Sequence, residues 1–137
     1  MNQVEHIKTN DQVIATIIRN EFSKDGIEFF TPDDFSQQLA YMKRKKGDTV
    51  QEHVHMLQPR EIKYMQETLF IKTGRVRVDL YADDKMYITS RELKAGDTIL
   101  LASGGHGLEF LEETEIIEVK QGPYCGDRDK ERFNGVR

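Results

Sequence analysis

Polar and apolar residues alternate from Arg75 to Tyr81, which sets Val76, Val78 and Leu80 on one parity. A period of two is that of a strand with one buried face. Ala82 to Lys85 then reads as a hairpin turn, and Met86 to Leu93 as the return strand. Lys94 to Asp97 turns into the apolar run Thr98 to Ala102, which Gly104 and Gly105 break. Leu108 to Leu111, a turn at Glu112 to Thr114, and Glu115 to Lys120 finish the pattern. Upstream, Val13 to Ile18 is a β-branched strand, and Thr31 to Ser36 is a turn with helix-starting chemistry, so any helix there is short. Phe35, Leu39 and Met42 have helical spacing, yet from about Leu39 the chain reads as a strand running up to Gly47. Many short strands at regular intervals predict an all-β sandwich or barrel.

At 137 residues the chain suits one domain with one core. A formal charge of -4 argues against a nucleic-acid or anionic-membrane partner, since both select basic surfaces. The one basic run, Lys43 to Lys46, reads as a solvated strand end that discourages edge pairing. No apolar stretch has the length of a membrane helix, and the first residues lack a signal-peptide pattern, so a soluble cytoplasmic protein is expected. The single cysteine, Cys125, fits a reducing compartment and reads as a turn residue. His6 reads as a surface histidine.

The residues that carry chemistry are His53 and His55. On a strand, positions i and i+2 point to one face, so two imidazoles would converge there. Glu67 opens the apolar strand that runs to Gly74, and His106 follows the run that begins at Gly96. Three imidazoles and one carboxylate predict a mononuclear divalent metal site, of a kind that suits Zn, Fe, Mn or Ni. The plain alternative is a polar strand face and a loop histidine. Glu61 is a rival carboxylate, but Glu67 stands at the head of the apolar run.

These residues resemble the motifs of the cupin superfamily. Gly47, five residues, then His53 and His55 match the opening of its first motif, and Glu67 with Gly74 matches its close. Gly96, Gly104 and His106 follow its second motif. Eleven residues separate His55 from Glu67 where the family has three or four; Ala102 stands for the proline, His106 comes one residue early, and Phe110 occupies the asparagine position. The resemblance implies a single-domain jelly-roll barrel with His53, His55, Glu67 and His106 as metal ligands. Residues 39–121 would be the cupin core, residues 1–38 N-terminal strands and a turn packing on it, and residues 122–137 a charged tail with Phe133 as its anchor.

Shared strand parity predicts the lining of a substrate pocket: Gln51 and Leu57 beside the histidine pair, Leu69 and Ile71 beside Glu67, and Leu108 and Phe110 beside His106. Arg60, Lys63 and Tyr64, in the lengthened hairpin, would close over an anionic ligand. The function expected is metal-dependent binding of a small oxygen-rich metabolite, sugar-like or a hydroxy or keto acid, with Lewis-acid isomerase or epimerase chemistry. A non-catalytic metabolite sensor and a metal-dependent dioxygenase are the alternatives. For the isomerase reading, no residue stands out as a separate base. A homodimer is expected from the resemblance and from strand edges that need cover.

Overall fold

The computed structural model describes residues 3–137. Ten strands account for the regular structure: β1 (Val4–Thr9), β2 (Gln12–Ile18), β3 (Gly26–Phe29), β4 (Ala40–Lys43), β5 (Glu67–Thr73), β6 (Arg75–Tyr81), β7 (Tyr87–Lys94), β8 (Thr98–Leu101), β9 (Gly105–Phe110) and β10 (Glu115–Lys120). The only helical element among the described residues is a 3-10 turn, Gly126–Asp129. The all-β expectation therefore holds. The stretch beginning at Leu39 resolves as strand β4, and Thr31 to Ser36 as turn without helix.

All pairings are antiparallel. Strands run β1-β2-β8-β5-β10 in one sheet and β7-β6-β9 in another, with β3 and β4 as a separate pair. The two larger sheets share one core. Ile7, Ile14, Ile17, Leu69, Ile71, Ile99 and Leu101 come from the five-stranded sheet, and Val76, Val78, Leu80 and Leu93 from the three-stranded sheet. The parity read from Arg75 to Tyr81 is the parity observed, since Val76, Val78 and Leu80 are completely buried. Among the described residues no strand pairing joins the two sheets into a closed barrel.

One buried charge pins the frame. Asp97, in the turn between β7 and β8, has no exposed surface. Its carboxylate accepts the backbone N–H groups of Asn20 and Lys94, both at 2.8 Å, and faces the Arg19 guanidinium at 3.1 Å. A buried carboxylate persists only with such partners. Gly96 beside it has φ +90 and abuts the Asn20 side chain, so both its backbone and its surroundings exclude a side chain.

The largest departure from the sequence pattern is residues 44–66. They form no strand, and every residue from Met42 to Met65 is exposed. The segment has strand chemistry but pairs with no strand among the described residues, and backbone extension alone does not hold a strand. Beyond a turn closed by Asp48 N–H on the Lys45 carbonyl, no backbone hydrogen bond among the described residues ties residues 49–65 to the rest.

Candidate functional site

Glu67 heads an inward stripe on β5 that continues with the buried Leu69 and Ile71. On β10 the stripe opposite is Lys120, Glu118 and Ile116, because Lys120 pairs with Glu67, Glu118 with Leu69 and Ile116 with Ile71. His106 lies on β9 opposite the buried Leu80 of β6, so it belongs to the inward face of the other sheet. The core thus ends in charged and polar groups at the side where β9 and β10 each finish a sheet. His106 Nε2 stands 3.7 Å from Glu67 Oε1 there.

These groups line a cavity of about 630 Å³, together with Tyr81, Gly104 to Gly107, Lys120 and part of the C-terminal segment. Phe133 meets Tyr81 edge-on with ring centroids 5.1 Å apart, and its Cζ comes within 3.0 Å of where a Cβ on Gly105 would lie. Lys85 pairs with Glu131 at 2.6 Å, and Arg137 approaches Asp79 at 3.9 Å. Phe133 is thus an anchor, as its place in the sequence suggests, and ion pairs add to it.

The electrostatics follow from burial. Desolvation raises the Glu67 carboxyl to about 7, helped by its hydrogen bond with Glu118 and that group's negative charge. The same hydrogen bond holds the Glu118 carboxyl below its ordinary value. Glu67 is therefore the member that keeps the proton, and Glu118 the ionised acceptor. Desolvation lowers the His106 imidazole, which favours its neutral form. The cavity so presents two adjacent carboxyls, an imidazole whose neutral form burial favours, and the ammonium groups of Lys120 and Lys130.

Of the four expected metal ligands, the fold brings two together. Glu67 and His106 meet at the cavity; His53 and His55 lie on the exposed segment, where their rings are 5.2 Å apart and His53 Nδ1 is 2.8 Å from the Gln51 carbonyl. The expected strand under this pair is absent. Among the described residues no group of three His, Cys, Asp or Glu side chains is arranged to hold a metal ion within one chain. A carboxylate and a neutral imidazole suit a divalent ion, but two donors are half of the set. The single chain therefore does not by itself fit the metal.

The expected pocket residues divide in the same way. Gln51, Leu57, Arg60, Lys63 and Tyr64 are exposed on residues 44–66, as is the rival Glu61. Leu69 and Ile71 are buried in the core below Glu67. Leu108 and Phe110 pair with the inward positions Val78 and Val76, yet are 37% and 58% exposed. None of the nine lines the cavity.

Glu118 and Lys120 escaped the sequence pattern for a physical reason. Apolar residues occupy both parities of β10, and only packing decides between them. Ile116 packs on the core, whereas Ile117 and Val119 are 53% and 57% exposed. A second cavity, of about 580 Å³, lies beside β1 and β7, where Arg75 pairs with Glu92 and Lys94 with Glu21. Its charges already neutralise one another. No helix among the described residues is long and apolar enough to cross a membrane. No protein-family model, curated protein or solved structure matches the chain.

Proposed function

We propose that the chain is a small cupin-type protein whose cavity between β9 and β10 binds a small oxygen-rich metabolite, a hydroxy or keto acid or a sugar-like acid, and isomerises or epimerises it. The observation that carries this reading is the convergence of Glu67, Glu118 and His106 in one cavity edged by Lys120 and Lys130. Its volume of about 630 Å³ falls within the range of small-molecule sites. Lys120 and Lys130 attract a ligand carboxylate. Glu118, whose carboxyl lies below its ordinary value, is the base that the sequence alone did not supply, and it can take a proton from carbon next to a carbonyl. His106, neutral, can hydrogen-bond the carbonyl oxygen.

The metal belongs to the same reading, with Glu67 and His106 as two ligands and His53 and His55 as the others. Such an ion, when bound, polarises a carbonyl or hydroxyl. The cupin motifs and the meeting of Glu67 with His106 support this assignment.

The test is proton exchange. In D₂O, with a panel of 2-hydroxy and 2-keto acids and aldose and ketose sugar acids, NMR should show deuterium entering the position next to the carbonyl of one compound. Glu118→Gln should slow that exchange at least about 100-fold, the usual worth of a positioned base, while binding persists in a thermal-shift assay. Exchange at an undiminished rate in Glu118→Gln would remove the base from this role, and a panel that neither binds nor exchanges would overturn the reading.

A further inference from the structure

We infer that residues 44–66 are an exchanged arm, which docks on a second copy of this chain along the open side between β9 and β10 and delivers His53 and His55 to that copy's Glu67 and His106. The inference rests on the metal reading only for the role of the two histidines. Its first support is the arm itself. Loops beyond about 12–15 residues without secondary structure are uncommon in compact domains, and this one is exposed from Arg44 to Met65. Val50, Val54, Met56 and Leu57 are 58%, 82%, 73% and 98% exposed, a row of apolar side chains that water disfavours.

The second support is the receiving surface. β9 and β10 each end a sheet, so both offer unpaired backbone groups, and both line the cavity. The inward residues Leu108 and Phe110 are uncovered beside them. An added strand would satisfy the backbone and cover these side chains, with Gln51, His53, His55 and Leu57 on one face and Val50, Val54 and Met56 on the other.

Charge adds a smaller contribution. The arm carries Arg44, Lys45, Lys46, Arg60 and Lys63 against Asp48, Glu52 and Glu61, while the β9 to β10 segment carries Glu109, Glu112, Glu113, Glu115 and Glu118, of which all but Glu113 already pair with Arg77, Arg75, Lys72 and Lys120. A reciprocal pair of arms also has the size of a stable interface, which takes about 20–30 residues a side. Exchange of an identical element closes such a pair with two-fold symmetry. It further accounts for two of the expected ligands lying on the arm and two at the cavity.

The test is complementation between two variants with different histidine-free affinity tags. One chain carries H53A and H55A, the other E67Q and H106A; they are co-expressed, and dimers bearing both tags are isolated and loaded with zinc. In an exchanged dimer one of the two sites combines an intact arm with an intact cavity, so zinc content should be about half that of the wild type, whereas either variant alone should hold none. Absence of zinc in the doubly tagged dimer, with a zinc-loaded wild type, would overturn exchange in favour of an arm folding back on its own chain. If E67Q with H106A fails to fold, H106Q replaces it.

A wild type that takes up neither zinc nor manganese(II) would sink the metal reading alone. Exchange is then decided by lysine cross-linking of mixed-isotope dimers. Links from Lys63 to Lys120 or Lys130 joining light to heavy chains support it. Links confined to one chain, or a monomer in solution, overturn it.

Discussion

Glu67 continues the stripe of Leu69 and Ile71, so the fold takes a carboxyl to the edge of its core and leaves it with Glu118 and His106 as polar company. Burial makes its ionisation costly in the folded state. With its pKa raised from 4.5 to about 7, the stability it contributes is full below about pH 4.5 and is lost as pH rises toward 7. The lowered Glu118 works in the opposite direction, adding stability above its ordinary range. The two are separated by substitution. In chelator-treated protein, Glu67→Gln should gain melting temperature relative to wild type as pH rises from 5 to 8; a difference that stays constant with pH would contradict the assigned proton. Asp97 is the opposite kind of buried carboxylate, saturated by Arg19 and two backbone N–H groups. Asp97→Ala should cost about 3 kcal/mol or more in urea unfolding, and a loss below about 1 kcal/mol would show that the turn holds without it.

At the scale of elements, strands whose alternation is set by a buried face were legible. β6 is the clearest, because Val76, Val78 and Leu80 leave only one way to face the core, and Leu80→Ala there should cost about 2–5 kcal/mol. β10 was legible as a strand but not in orientation, since Ile116, Ile117 and Val119 offer both faces as apolar and the charged pair Glu118 and Lys120 is identified only once Ile116 is seen to pack. The stretch around His53 and His55 reads as a strand for its periodicity, yet it pairs with no strand among the described residues, and periodicity carries no information about pairing. The C-terminal segment is held through Phe133 on Tyr81. Phe133→Ala should speed amide hydrogen exchange across residues 122–137 while leaving that of β6 and β8 nearly unchanged. Equal loss of protection in all of them would make the segment part of the core rather than a cover to the cavity.

For the molecule as a whole, two sheets around one core end in a cavity that holds Glu67, Glu118 and His106, while His53 and His55 sit on an exposed segment that joins neither sheet. The meeting of Glu67 with His106 follows the type and spacing read from the sequence, because each stands at the inward end of a strand that faces the core. The separation of His53 and His55 from that pair was not legible, since sequence order does not say which strand, if any, a segment will pair with. Light scattering should give twice the 15.9 kDa of one chain. The most direct measurement is X-ray absorption at the zinc edge of tag-free, zinc-loaded protein. Three imidazoles and one carboxylate around the ion are expected from His53, His55, His106 and Glu67 acting together. A shell with a single imidazole, or with none, would contradict a site shared between the cavity and the arm.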